Sequence, residues 1–413
     1  MKDYIVGLDI GSFKVCACVG KLDSFNNIQI VGVTTCECNG SKKSVVVDID
    51  STAKSIKNCI SQLEKIVGIT INDAYISLPS NICKIVYNKG VIAITSENKE
   101  ISQNDVQRAL ETAKIISVPA NEEIIGVIPQ QYIIDNYENI KDPIGMSGLK
   151  LEVDAQILLV ESTIISNFIK SINKAGLNID GFTFQPIATA KSTITKKEMD
   201  SKIAIIDVGS EVSCVSIFKS SNMLYTTTIP IGGDIITNDI AICLKIPYAE
   251  AERIKIKYAD VEVKANYDYE EIKVNNASGN TTTVSEKLLD EVIEARLEEM
   301  ITMIRNRVKN EYIDDVNEII IVGGGISYIK GIEQYVGDIM GCQVKIGSPN
   351  FDGCNLPIYS TCVGIIEDVV ENLNYKKGNY FDESDDNTSY ALNSEEQKKG
   401  IFYKIRKLFD DFF

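Results

Sequence analysis

The sequence predicts an α/β protein of two facing lobes built on duplicated mixed-sheet cores, and three observations carry that prediction. A strand, glycine turn, strand unit occurs twice. Strands alternate with helices through both halves of the chain. A buried strand late in the chain runs into three consecutive glycines. At 413 residues there is enough chain for two lobes that each bury a core.

The first unit is YIVGLDIGSFKVCACVGK, with Ile10-Gly11-Ser12 as the turn and Val15, Ala17 and Val19 continuing the alternation. The second, IAIIDVGSEVSCVSIFK, runs from Ile203 to Lys219. Asp9-Ile10-Gly11-Ser12 aligns with Asp207-Val208-Gly209-Ser210 without a gap, so the repeat marks a duplicated fold. Between the units, Ile56, Ile60, Leu63 and Val67 give a helix over Ser51–Val67. Ser102–Ile116 is a second helix, opened by a Ser-x-x-Asp cap, and Ser162–Ala175 a third, closed by Gly176. Later helices are expected over Pro247–Tyr258 and Ser285–Tyr312.

Composition removes several classes. A net charge of −16 argues against nucleic acid as the main partner, because phosphate backbones need a basic surface. No segment approaches the roughly 20 apolar residues of a membrane span, and the N-terminus lacks a signal-peptide pattern, so the chain is expected to stay in the cytoplasm. The 11 cysteines include the pairs Cys16/Cys18 and Cys36/Cys38. A metal site is one reading of them; reduced, buried thiols are the better one, since the chain has no CxxC and no histidine. Without histidine there is also no Ser-His or Cys-His nucleophile.

Glycine turns let backbone amides approach a phosphate, and a serine hydroxyl can donate to the same oxygens. An aspartate at the strand end can hold magnesium through its waters. Gly323-Gly324-Gly325, in IIIVGGGISYIKGI, permits close backbone packing against a flat ligand or phosphates, or is merely a strand-to-helix connection. Pro230-Ile231-Gly232-Gly233-Asp234 precedes a helix on which Glu252 and Lys255 share a face. Those two form a surface ion pair or clasp a nucleoside; spacing alone leaves both open.

The chain closes on two further segments. Tyr375–Gln397, with six acids against two lysines, reads as a disordered acidic linker. In Lys398–Phe413, Ile401, Phe402, Ile405, Leu408, Phe409 and Phe412 form one helical stripe, while Lys398, Lys399, Lys404, Arg406 and Lys407 lie off it. Such a helix is expected to lie in the interface of an anionic membrane; docking on the protein's own surface is the other reading. One anchor of this length binds weakly, so an array of subunits would hold better through avidity.

The two hairpins and the strand-glycine-glycine-glycine segment together resemble the superfamily of actin, heat-shock chaperone and sugar-kinase ATPases. Within it, NEEIIGVIPQQYIID, IKDPIGMSGLKLEVDAQILLV, IPIGGDIITNDIAICL and AERIKIKYA resemble the bacterial cell-division FtsA family. That resemblance runs through residues 1–372 nearly continuously and then the tail. It implies an actin-like two-lobed fold with an FtsA-type inserted subdomain and a C-terminal amphipathic helix. The implied divisions are 1–80, 162–199 and 351–374 for subdomain 1A, 81–161 for the insert 1C, 200–233 and 306–350 for 2A, and 234–305 for 2B. The linker at 375–397 and the membrane helix at 398–413 follow.

By resemblance the chain binds ATP and Mg2+. Asp9, Gly11, Ser12 and Lys14 would meet the phosphates from one lobe and Gly209 and Ser210 from the other, with Asp9 and Asp207 near magnesium. Gly232, Gly233 and Asp234 would hold the sugar, Glu252 and Lys255 the nucleoside, and Gly323, Gly324, Gly325 and Ile326 the adenosine. The implied role is a cell-division scaffold on the cytoplasmic face of the membrane at the division site. It would self-associate into an actin-like filament, contact anionic lipid and later division proteins, and bind the C-terminal peptide of FtsZ, with Arg296 and Arg305 as candidate contacts or plain solvated charges. The family's second hairpin usually reads D-x-G-x-x-T-T/S-D, whereas here Val212, Ser213 and Cys214 stand at its end. Slow or absent hydrolysis is therefore expected unless Glu211 activates water. The rivals are a small-molecule kinase of the same superfamily, for which no motif fixes a carboxylate base, and a pilus-assembly relative.

Overall fold

The two glycine hairpins open two sheets of the same plan. A computed structural model describes residues 4–378 apart from 24, 26, 263–268, 277, 309–311 and 313–314. The first lobe begins with β1 (Ile5–Ile10), β2 (Lys14–Leu22), β3 (Ile28–Glu37), the short β4 (Ser41–Lys42) and β5 (Val45–Val46), α1 (Ile49–Val67) and β6 (Asp73–Leu78). An insert follows, made of β7 (Cys83–Ala93), α2 (Gln103–Ala113), β8 (Glu122–Ile134), β9 (Tyr137–Ile140) and β10 (Lys150–Glu161). The chain returns to the first lobe through α3 (Ser162–Lys174), β11 (Asn178–Phe184) and α4 (Gln185–Thr193). The second lobe holds β12 (Ile203–Val208), β13 (Ser213–Lys219), β14 (Asn222–Ile229), α5 (Gly233–Leu244), α6 (Tyr248–Tyr258), β15 (Glu271–Asn275), β16 (Thr281–Ser285), α7 (Glu286–Arg307), β17 (Glu318–Val322), α8 (Ile332–Met340) and β18 (Gln343–Ile346). Finally α9 (Ser360–Gly378) packs back on α4 and β1.

The first sheet has the order β3-β2-β1-β6-β11 and the second β14-β13-β12-β17-β18. In each, the leading three strands are antiparallel and the next two join in parallel, so the strand plan itself is duplicated. The turns match as well. Gly11 N–H donates to Lys14 O at 2.9 Å, and Gly209 N–H donates to Val212 O at 3.0 Å. Each lobe has its own apolar core, with Leu8, Ile56, Ile76 and Phe182 in the first and Ile206, Ile236, Ile293 and Ile321 in the second.

The insert is a four-stranded sheet, β7-β10-β8-β9, covered by α2, and it buries a third core around Val106, Leu110 and Val153. Its helix starts with a reciprocal cap. Ser102 Oγ accepts from Asp105 N–H at 3.3 Å, and Asp105 Oδ2 accepts from Ser102 N–H at 3.0 Å, satisfying two otherwise orphaned donors.

Three boundaries differ from the sequence expectation. α7 stops at Arg307, where Val308 turns to extended backbone. The triple glycine does not open directly onto a helix: Ser327 Oγ–H bonds back to Gly323 O, a turn follows, and α8 starts only at Ile332. α9 continues to Gly378, past the point where the acidic linker was expected to begin. Linker residues from 379 onward and the whole amphipathic segment, including Ile401, Phe402, Lys404, Ile405, Arg406, Lys407, Leu408, Phe409 and Phe412, lie outside the described residues.

Candidate functional site

Each hairpin aims its turn at the other, and the space between them is a cleft of about 470 Å3. Asp9, Gly11, Ser12 and Lys14 line it from the first lobe. Asp207, Gly209, Ser210, Glu211, Gly233, Asp234, Glu252, Lys255, Gly323, Gly324 and Gly325 line it from the second. Ser360 and Thr361, at the start of α9, are also in its wall. Gly232 is buried behind the wall, packed on Ser210. Ile326, expected to face the adenosine, is 1% exposed in the core of the second lobe.

The second lobe presents its three glycine segments as one interlocked backbone surface. Gly233 N–H donates to Gly209 O at 2.9 Å, Asp234 N–H to Ser210 O at 2.8 Å, and Gly325 N–H to Val208 O at 2.8 Å. Two of the glycines are required by space and conformation. A Cβ on Gly233 would stand 2.6 Å from Gly325 Cα. Gly323 has φ +82°, and a Cβ there would meet Val208 O at 2.4 Å and Asp207 Oδ1 at 2.5 Å. Bulk at either position would push the turns apart.

Asp9, Asp207 and Lys14 line the same cleft, close enough to feel one another's charge. Both keep partial exposure to the cleft, yet surrounding protein removes much of their hydration. Burial raises the Asp9 carboxyl, opposed by a 2.5 Å hydrogen bond from Ser77 Oγ and by Lys14. Burial, then the nearby Asp9 charge, pushes Asp207 up to about 6, opposed by Lys14 and by Gln185 Nε2 donating at 2.9 Å. Burial likewise lowers Lys14. The Lys14 ammonium partly offsets the burial of both acids, and the two acids disfavour each other's charge. Such a floor could hold a divalent cation on Asp9 and Asp207 and an anion on Lys14 and the glycine turns.

Away from the floor, Glu252 and Lys255 form an ion pair on the cleft wall. Lys255 Nζ lies 2.7 Å from Glu252 Oε2 and donates to Thr237 Oγ1 at 2.8 Å, and Thr237 donates to Glu252 at 2.5 Å. Ile256, Tyr328 and Ile358 add apolar surface to the lining of the same cleft. Sequence reasoning missed these three together with Ser77 and Gln185: Tyr328 and Ile256 lie inside quoted segments but read as ordinary apolar positions, and Ser77, Gln185 and Ile358 stand outside every motif. The two candidate arginines on α7, Arg296 and Arg305, are engaged inside the second lobe. Arg296 bonds Asp239 and Glu299, and Arg305 Nη1 donates to Ile339 O at 2.9 Å. The cysteine pair on β2 is buried, and Cys16 Sγ lies 2.9 Å from Cys362 Sγ.

A duplicated sheet plan around a glycine-walled cleft, with an inserted four-stranded subdomain in the first lobe, defines an actin-like protein. Solved structures agree on the fold. The PilM-PilN type IV pilus biogenesis complex matches with a TM-score of 0.60 at 14% identity, over 87% of this chain and 97% of that one. MreB5 of Spiroplasma citri bound to ADP matches at 0.53 and 14% identity, over 90% and 99%. Sequence narrows the class. A family described as "Cell division protein FtsA" matches residues 204–364, and "SHS2 domain inserted in FTSA" matches residues 81–159. Cell division protein FtsA of Pseudomonas aeruginosa is 32% identical over 88% of both chains, and that of Bacillus subtilis 32% identical over 88% of this chain and 83% of its own. The chain belongs to the FtsA family of cell-division proteins.

Proposed function

We propose that this chain is the ATP-bound, self-associating scaffold that tethers the FtsZ ring to the inner face of the cytoplasmic membrane at the division site. The observation that carries the reading is the cleft floor. Asp9, Lys14 and Asp207 converge beneath two glycine turns, a constellation suited to Mg2+ and a nucleotide triphosphate chain. Family membership supports the division role, and solved structures of the same fold bound to ADP or AMPPNP support nucleotide as the ligand class.

In this reading Lys14 and the turn at Gly209-Ser210 hold phosphates, Asp9 and Asp207 hold magnesium, and the Glu252–Lys255 pair with Tyr328 and Ile256 positions the nucleoside. Gly324, whose Cβ position lies 3.7 Å from Lys14 Nζ, sets the closest approach of the ligand to the second lobe. Hydrolysis is slow, because Cys214, a thiol pushed upward by burial and bonded to Ser80 at 3.0 Å, is a poor base. Lys398–Phe413 supplies the membrane anchor, and polymerisation multiplies its weak individual hold.

Sedimentation with anionic liposomes tests the scaffold. Full-length protein with ATP and Mg2+ is expected to pellet, and protein lacking residues 398–413 to remain in solution. Full-length protein that ignores anionic liposomes in every nucleotide state would end this reading.

A further inference from the structure

The short β4–β5 hairpin is not explained by the fold or by the ligand set just assigned. It rises from the first lobe on a firmly held base. Gly40 O accepts from both Val47 N–H at 2.8 Å and Asp48 N–H at 2.9 Å, and Asn39 N–H donates to Ser55 Oγ at 3.0 Å. Gly40, at φ +104°, leaves no room for a Cβ beside Asp48 O at 2.5 Å, so the base is close-packed. At the tip, Lys43 and Ser44 both take left-handed backbone, φ +47° and +59°, which is the two-residue turn that matches strand twist.

That conformation turns two successive backbone amides toward opposite hairpins of the cleft. Ser44 N–H donates to Ser12 Oγ at 2.9 Å, within the first lobe. Lys43 N–H donates to Glu211 Oε2 at 2.6 Å, across to the second. Asn81 Nδ2 holds Lys43 O from the other side and keeps the tip from rotating away. Glu211 and Ser44 line the cleft, and the contact between Lys43 and Glu211 is exposed at its rim.

We infer that Glu211 is a positioning residue: its bond to the Lys43 amide is a latch joining the two lobes at the cleft mouth, which slows the release of bound nucleotide. This deepens the proposed function and rests on its nucleotide reading. A carboxylate accepting a backbone N–H makes a stronger bond than a neutral acceptor does, and this one joins the two lobes. Lys43 contributes its amide, and its exposed side chain is dispensable.

The test is stopped-flow release of a fluorescent ATP analogue from full-length protein, with steady-state hydrolysis measured alongside. Glu211→Ala should release nucleotide about tenfold faster, the size of effect a hydrogen bond to a charged group supports. Glu211→Gln, which keeps the acceptor, should stay within about threefold of wild type. Lys43→Gly, which keeps the amide and suits the left-handed turn, should match wild type in release. Thermal melting of each variant without nucleotide checks that the fold is intact, and Glu211→Met, which keeps the length of the side chain but removes the acceptor, should release as fast as Glu211→Ala and serves if Glu211→Ala melts early. Hydrolysis lost in both Glu211 variants with release unchanged would overturn the latch and make Glu211 an acid–base group. If wild type binds nucleotide and all variants release it equally, the latch alone fails. If wild type binds none, the proposed function fails and takes the latch with it.

Discussion

Glu367 on α9 shows how one residue can work against the fold that contains it. Its Oε2 is buried without a hydrogen-bond partner, and burial, with Glu371 adding to it and Lys191 opposing, pushes the carboxyl up to about 8. A raised acid is a liability while ionised, so its cost is full above the folded value and disappears as pH falls toward the unfolded value near 4.5. Replacing Glu367 with Gln should therefore stabilise the protein at pH 8.5 by about 1–3 kcal/mol, the usual cost of an unmet buried polar group. The gain should shrink to nothing near pH 4.5. Thermal denaturation across that range measures it; equal gains at both ends would show that charge is not the cause. Asp368, pushed up to about 6 by burial, and Asp207 add the same sign of dependence over a lower window.

At the scale of elements, α2 offers the cleanest prediction. Ser102→Ala removes one half of its reciprocal cap and should cost about 1 kcal/mol, read as faster amide hydrogen exchange in the first turn of α2. Unchanged exchange there would mean that packing on β7 and β10 alone holds the helix. This cap was legible in sequence, as were both glycine hairpins and the helices whose apolar spacing is regular. The legible features are local: the residues that cause them are within four positions of one another. What sequence could not disclose is assembled from distant places. Gln185 reaches Asp207 from α4, Ser77 reaches Asp9 from β6, and the Lys43 amide meets Glu211 from a hairpin two residues wide. Ile326 was misplaced for a related reason. It follows three cleft glycines in the chain, but the turn after Gly325 rotates its apolar side chain into the core, where burial stabilises it.

For the whole molecule, the cleft, the insert and the family together place this chain among the FtsA proteins, and its proposed partner follows from there. Protein at a fixed concentration should co-pellet with FtsZ filaments, and should stay in the supernatant when the FtsZ lacks its C-terminal peptide. Arg296 and Arg305 are weak candidates for that contact, because Asp239, Glu299 and Ile339 O already occupy them. Retained co-pelleting with the truncated FtsZ would move the contact elsewhere on either protein.

The last described helix connects two distant places. α9 starts with Ser360 and Thr361 in the cleft wall and ends at Gly378, where the chain departs toward the acidic and amphipathic segments. At 19 residues it is a stiff rod of about 27 Å between those two points. Because α9 packs on α4 and β1, it belongs to the first lobe along its course. The cleft wall and the root of the tail are thus carried by one and the same helix.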